Sequence, residues 1–430
     1  MKKIFIAAAL LALSFPARAQ KEIVKTGLNF GPLPAVGYSS DLGWHYGALT
    51  DIFWYGDGSK YPEYIWKANV EASWYSKGNS VYHAFFDSKY LIPGIRVSAD
   101  LTYLGNKTTN FYGFNGAASV FNPDLNKITE DGLGFYLMRR DNFRIELTAQ
   151  GTLGESNWGW VAGTAYNSYR LGHAENKGLK PENDRSLYDI YVDNGVIPEI
   201  EKNGGRHLEF KAGVVYDTRD HENNPSHGSN LEAFVYGSPD ILNGRSGADP
   251  RNHYLKFAVH YKQFFTLVQD RLVFGGHLAC QGLIAGSAPF YTLQTIQPIN
   301  RKNIITDGLG STNTIRGTVA NRLQGNGYAW GNFELRWSFA RFRLFNQNFI
   351  LATNPFFDLG MVIQPYNLEA LKKLDKTIYS GNAEKLHMGA GAGLHIIMNQ
   401  NFNINFELGK CLDSNDGTGL GINVGLNYIF

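Results

Sequence analysis

The histidines are the residues best suited to chemistry in this chain, and they are scattered. There are eleven: His260 and His277 lie within strand-like runs, and His221 and His227 lie in turns. A serine hydrolase needs a Ser, a His and an Asp or Asn assembled by geometry. No histidine here stands in a Ser-His spacing that marks such a set, so each reads as an inward-facing or loop residue. Metal-ligand spacings of the His-x-x-His or Cys-x-x-Cys kind are absent. His221 and His227, beside Asp220 and Glu222, have the donor atoms for a cation, but the segment reads better as a solvated turn. The cysteines, Cys280 and Cys411, fall on different, non-adjacent strands and make no disulfide framework. The expectation is no catalytic residue, no metal and no cofactor. A surface lipid hydrolase, resting on one Ser or His, is the weakest of the competing readings.

The elements that carry the charged residues say more. Glu334 and Arg336, with Asn332 and Ser338, alternate with Phe333, Leu335, Trp337 and Phe339. Strict alternation places the two sets on opposite faces of a strand. A charged pair facing hydrocarbon would be costly, and a wet lumen suits it. The final residues repeat the pattern: Leu420, Ile422, Val424, Leu426, Tyr428 and Phe430 share one face, and Gly421, Asn423, Gly425 and Asn427 the other. Phe402, Ile404, Phe406 and Leu408 likewise face out, with Asn403, Asn405, Glu407 and Gly409 facing in. This is the signature of a transmembrane β-barrel with lipid outside and a polar lumen.

Composition and targeting agree. Lys2 and Lys3, the apolar run Ile4 to Phe15 and Ala17-Arg18-Ala19 form a cleavable export signal, 1–19, with cleavage before Gln20. The apolar run is too short to span a bilayer as a helix, and no longer one follows. Glycine (48), Tyr (24) and Phe (28) are abundant. Tyr and Trp suit sites with one apolar and one wet end, as at membrane interfaces. A net charge of +2 gives no warrant for a nucleic-acid partner.

The fold class expected is an all-β, antiparallel transmembrane barrel over 42–430, with 20–41 a short periplasmic or plug segment. Upward strands are predicted near 42–54, 80–91, 131–139, 157–167, 228–236, 273–286, 350–362 and 402–411. Downward strands are predicted near 65–77, 95–106, 142–153, 207–218, 253–265, 328–342, 386–397 and 420–430. These make sixteen, an even number, as in single-chain bacterial barrels. Tight turns at 77–79, 154–157 and 398–401 fall on the periplasmic side. Long loops near 168–206, 237–252, 287–327 and 363–385 fall outside, while 107–130 is long yet lands on the periplasmic side.

Three motifs give the chain its resemblance, over about 210–430. Thr314-Ile315-Arg316-Gly317 lies in the long sixth extracellular loop, Asp217-Thr218-Arg219-Asp220 precedes Pro225 and Gly228, and Asn423, Gly425, Tyr428 and Phe430 close the chain. The sequence resembles the superfamily of outer-membrane assembly and secretion barrels that includes BamA and TamA, the bacterial surface antigen domains. The resemblance implies that the sixth loop folds into the lumen and that Arg316 pairs with wall carboxylates, here Glu334 and Asp358. A guanidinium suits that pairing because its planar fork bonds a carboxylate twice, and Gly317 lets the tip turn tightly. Thr318 departs from the aromatic usual in the family. The resemblance also implies that Asp217, Arg219 and Asp220 form a family turn and that the last residues are the signal read by the barrel-assembly machinery.

The segment before 42 is too short for a periplasmic POTRA module, so a barrel-only member is expected, outer-membrane in location. The implied function is insertion or translocation of outer-membrane or surface proteins, or lipids, within a complex. The expected mechanism is templating at a weak seam between the first strand, near 42–54, and the last. The partners implied are outer-membrane lipids, the assembly machinery during biogenesis, and periplasmic or lipoprotein subunits. The competing class is a passive channel or structural protein that kept the fold.

Overall fold

The computed structural model describes residues 23–39, 42–176, 178–180, 185–244, 251–293, 295–296, 308–310, 314–400, 402–417, 419–426 and 428–430. The export signal expected at 1–19 lies outside these residues. The described strands form one antiparallel sheet of 17. They are β1 (Leu28–Ser39), β2 (Gly43–Trp54), β3 (Trp66–Tyr75), β4 (Ser80–Ile92), β5 (Ile95–Gly105), β6 (Thr109–Asn110), β7 (Leu137–Thr152), β8 (Trp158–His173) and β9 (Gly204–Asp217), then β10 (Gly228–Ser238), β11 (Tyr254–Val268), β12 (Leu272–Gly286), β13 (Gly327–Leu344), β14 (Gln347–Gln364), β15 (His387–Met398), β16 (Phe402–Cys411) and β17 (Gly421–Leu426). Each long strand pairs with the next, and β5 passes directly to β7 beside the two-residue β6. The last strand returns to the first through Ser39 opposite Asn423.

The sheet is an inside-out protein. Along β7, Ile145 and Leu147 are 44% and 56% exposed, while Arg144 and Glu146 between and beside them are 1% and 4% exposed. Along β13, Leu335 and Phe339 are exposed and Glu334 and Arg336 buried. Apolar side chains outside and charges inside suit a lipid solvent, where each unpaired N–H or C=O costs several kcal/mol and pairing around the sheet removes that cost.

Two sequence expectations need correction, and they cancel in the count. Residues 28–39, placed before the barrel, form a strand paired residue for residue with β2, from Leu28 opposite Trp54 to Ser39 opposite Gly43. Leu28, Phe30, Val36 and Tyr38 are exposed and Ala35 and Gly37 buried, a period of two hidden in the sequence by Pro32 and Pro34. The seam therefore joins β17 to β1, and 42–54 is the second strand. Conversely, the strands expected at 131–139 and 142–153 are one, β7. Arg139, Arg140, Asp141 and Asn142 read as a turn because four polar residues stand in a row. They are extended and buried, since loops cover this end of the strand on both sides: Arg140 donates to Tyr291 O at 2.8 Å and to Thr295 Oγ1 at 3.2 Å.

Sixteen long strands remain, but the direction of the early ones reverses. The turn at Lys77 to Asn79 lies with the long loops: Thr108 Oγ1 donates to Lys77 O at 2.6 Å, and Asn176 Nδ2 reaches the same oxygen at 3.2 Å. The segment between β5 and β7 is no longer an exception. It joins the long loops and the Lys77 to Asn79 turn at the outer end, and the turns at 154–157 and 398–401 lie at the periplasmic end.

The outer loops pack into a roof. Phe111, Tyr112 and Phe114 from the β5–β7 loop meet Tyr188 and Tyr191 from the β8–β9 loop, Phe290 and Tyr291 after β12, and Leu368 and Leu371 after β14. Tyr188 and Tyr191 ride on a short helix, α1 (Leu187–Asp193). Its N-terminus is closed by a capping box between Ser186 and Asp189, which satisfies N–H groups that the helix cannot. At the other end, Ile23 to Gly27 form a strap. Ile23 N donates to Asn348 Oδ1 and Asn348 Nδ2 returns a bond to Ile23 O, both at 3.1 Å, while Lys25 Nζ reaches Asn346 O at 2.5 Å. The strap thus runs from β1 past the seam to the β13–β14 turn.

Candidate functional site

The centre of the lumen is organised around Arg316. Its loop, between β12 and β13, descends until the tip lies against the inner faces of β13 to β16. Arg316 Nε and Nη2 donate to Asp358 Oδ2 and Oδ1 at 2.7 and 2.9 Å, a fork-to-fork pair. Nη1 donates to Glu334 Oε1 at 2.7 Å and to Glu407 Oε1 at 2.8 Å. The main-chain N–H of Arg316 adds a bond to Asp358 Oδ2 at 3.0 Å. The guanidinium carbon stands 3.5 Å from the centre of the Phe356 ring, where a cation over an aromatic face is favoured. Arg316, Glu334 and Asp358 are all buried.

The tip needs the glycines it meets. Gly317 has φ +94°, and a Cβ there would lie 2.5 Å from the Lys410 backbone. On the wall, a Cβ at Gly409 would fall 2.8 Å from Gly317 N, and one at Gly389 would strike Arg316 O. Main chain therefore approaches main chain closely enough for the short Arg316 bonds to form. Ile315 packs with Leu309, Leu323, Tyr328 and Trp330, and Asn332 Nδ2 ties Asp358 Oδ1 at 2.9 Å and Thr314 O at 2.5 Å. Thr318 is buried, and the aromatic ring against the guanidinium is that of Phe356 on the wall.

Glu407 was not singled out from the sequence. Its alternation already put it in the lumen, but which carboxylates converge on one guanidinium depends on the register between β13, β14, β15 and β16. Arg336, paired with Glu334 on the lumen face by alternation, donates through Nε to Glu334 Oε2 at 2.8 Å, so two guanidinium groups share one carboxylate.

The Asp217, Arg219 and Asp220 segment builds the β9–β10 turn. Arg219 Nε and Nη2 donate to Asp217 Oδ1 and Oδ2 at 2.9 and 2.6 Å. Asp220 accepts from Ser226 N at 2.8 Å and from His227 N at 3.2 Å. Asp220 is partly buried, which raises its carboxyl, but Ser226 and the main-chain N–H groups of Ser226 and His227 hold it below the usual range. Glu222 turns away to Arg96 Nη2 at 2.9 Å and Lys89 at 3.4 Å, so the acids and histidines here do not converge on one point. Cys280 and Cys411 are free, on β12 and β16.

The end of the chain departs from expectation. Asn423 and Gly425 lie in β17, opposite Glu407 and Asn405. The strand stops at Leu426, and Tyr428 and Phe430, predicted to face lipid, turn into the lumen. Tyr428 stacks on His395 with centroids 4.2 Å apart, and Phe430 stacks on His277 at 5.5 Å. Alternation records the face a residue takes if the strand continues. It does not record that Arg336, His395 and His277 offer these rings a better-filled place inside.

With the barrel and its anchored loop described, comparison with known proteins is direct. The model of the Omp85 superfamily domain matches residues 66–430. The chain belongs to the Omp85 superfamily. Among solved structures it is similar to BamA from Haemophilus ducreyi lacking POTRA domains 1–3, at 13% identity and a TM-score of 0.53 over 94% of this chain and 70% of that one. It is similar also to CdiB from Escherichia coli, at 12% identity and a TM-score of 0.55 over 92% of this chain and 61% of that one. No curated protein matches the chain. Omp85 membership and the barrel fold assign this chain to the outer membrane.

Proposed function

We propose that this Omp85 barrel inserts or translocates other outer-membrane or surface polypeptides, or lipids, through the seam between β1 and β17, in a complex with periplasmic or lipoprotein subunits. The observation that carries this reading is the asymmetry of pairing around β1. Its twelve residues all pair with β2, whereas Ser39 opposite Asn423 is the one pair with β17 among the described residues. Among the described residues, most of the β1 edge has no ladder partner on the β17 side, and a client strand is a source of one. Pro32 and Pro34 lie in β1, and proline within a sheet sits where its nitrogen faces an unpaired side. The edge therefore suits transient pairing better than a permanent ladder. Gly421 and Gly425 weaken β17 itself.

A passive channel fits less well. The roof buries Phe111, Tyr112, Phe114 and Tyr191 almost completely over the outer mouth, and the Arg316 tip is bonded to the lumen wall below.

Ser39→Cys with Asn423→Cys, in a Cys280→Ser, Cys411→Ser background, locks the seam until reductant is added. Cells dependent on the locked barrel are expected to lose folded outer-membrane proteins and recover them on reduction. Affinity purification of the unlocked form is expected to bring down nascent client or partner subunits. A locked barrel that sustains normal levels, and purifies alone, would move the reading to a structural role.

A further inference from the structure

We propose that Arg336 is a latch that holds the C-terminal tail inside the lumen and keeps β17 short, and that Glu334 couples this latch to the sixth loop. The proposal rests on the seam reading above only for its use. The latch itself is a matter of geometry.

The tail has a built seat. Arg336 Nη2 donates to Phe430 O at 3.0 Å. Its guanidinium carbon lies 3.8 Å from the centre of the Tyr428 ring and 4.8 Å from that of Phe430. His395 and His277 floor the two rings, and Phe264 stacks on Phe430 at 6.0 Å. Gly275 leaves room for the Phe430 edge: a Cβ there would stand 3.3 Å from it. Tyr428 is buried.

The seat and the seam compete for the same residues. In the β16–β17 register, Ile404 lies opposite Leu426. Continuing that ladder would bring Tyr428 opposite Phe402 and turn its ring to the lipid face. A ring cannot be stacked on His395 and face lipid at once, so tucking the tail and extending β17 exclude each other. The tucked state gives up the periplasmic end of the ladder that would otherwise help to close the seam.

Glu334 links this choice to Arg316. One of its oxygens accepts from Arg316 Nη1, the other from Arg336 Nε. Arg336 therefore bonds Glu334 through one nitrogen and keeps Nη2 for Phe430 O. If Arg316 leaves, Glu334 Oε1 is free to take Nη2. Arg336 can then close a two-bond fork on Glu334, the arrangement Arg316 already makes with Asp358. Nη2 carries a second N–H, but closing the fork swings the guanidinium towards Glu334 and draws Nη2 away from Phe430 O. A docked sixth loop thus favours a tucked tail, and an undocked loop favours its release.

The test places a nitroxide at residue 430 through Phe430→Cys, with Cys280→Ser and Cys411→Ser, in the full chain in lipid nanodiscs. Collision with lipid-soluble oxygen and with a water-soluble nickel chelate reports which face the tail occupies. With Arg336 present, the label is expected to be shielded from lipid. Arg336→Gln is expected to raise oxygen collision several-fold, and Arg336→Lys, which keeps the charge but loses the planar fork, to do so partly. Heat-modifiable gel mobility identifies variants that fold. Oxygen collision unchanged in both folded variants overturns the latch. Arg316→Ala is expected to shift the label in the same direction as Arg336→Gln, and no shift there overturns the coupling through Glu334. Because the readout is the tail's position, its failure is separate from failure of the seam-locking experiment.

Discussion

Removing the Arg316 side chain tests the lumen anchor most directly. Four side-chain hydrogen bonds to three carboxylates disappear in Arg316→Ala, while the main-chain bond to Asp358 can persist. Breaking a buried ion pair from one side costs about 3–5 kcal/mol, because the abandoned charges remain buried. Here the lower end applies: Glu334 keeps Arg336, Asp358 keeps Asn332, and Glu407 keeps Asn354 at 3.3 Å. A loss of about 3 kcal/mol, at roughly 1.4 kcal/mol per tenfold, shifts the docking equilibrium of the loop about a hundredfold. The assay is hydrogen exchange at Val319, whose N–H is held by Asp416 O at 2.9 Å and is freed when the tip leaves the wall. Exchange about a hundredfold faster is expected, with Arg316→Lys intermediate because a point charge cannot reproduce the fork. Unchanged Val319 exchange in both variants would refute the reasoning. The tip would then be held by Ile315, Asn332 and the glycine wall, with the ion cluster contributing nothing net.

Two further predictions concern the ends of the barrel. Asn348→Ala removes both side-chain bonds to Ile23, and is expected to make the peptide bond after Lys25 several-fold more sensitive to trypsin in the folded barrel; unchanged cleavage would show that Asn348 does not hold the strap. In the roof, burial raises the Glu384 carboxyl, but His387 and the main-chain N–H groups of Val362 and Ala117 more than offset this and hold it below the usual range. A depressed carboxyl contributes stability that is present above its unfolded value and is lost as pH falls through the folded one. Exchange at Ala117, corrected for its intrinsic pH dependence, is therefore expected to lose protection only below the ordinary glutamate range, and Glu384→Gln to flatten that profile.

What the sequence revealed, and what it hid, follow from the range of each interaction. Period-two alternation is local, so it placed Glu334, Asp358 and Glu407 on inward faces before any partner was known. It failed where another constraint overrode local pattern. Pro32 and Pro34 interrupt the polarity of β1, and only its pairing with β2 identifies it as a strand. Arg139 to Asn142 defeat alternation because roof loops cover the end of β7, burying both faces. Tyr428 and Phe430 obey the alternation in sequence and violate it in space, since the seat that takes them is assembled from β11, β12, β13 and β15. The convergence of Glu407 on Arg316 is likewise a property of four strands in register, invisible along any one of them.

These departures share a location. β1, with its prolines, and the tail of β17 are the two sides of the seam, and both deviate from the regular barrel in the direction of less pairing. By contrast, β13 and β14 pair over most of eighteen residues each, and the lumen beside them holds the buried cluster in which Arg316 bonds three carboxylates. A barrel that needed only to be stable in lipid would zip β17 to Phe430 and close its ladder, because each unpaired main-chain group there costs several kcal/mol. Instead, the residues that would complete the ladder are bound inside by Arg336, one carboxylate away from the anchored loop. The stabilisation that the seam lacks is located in the lumen, where it depends on the position of the sixth loop and can be withdrawn by moving it.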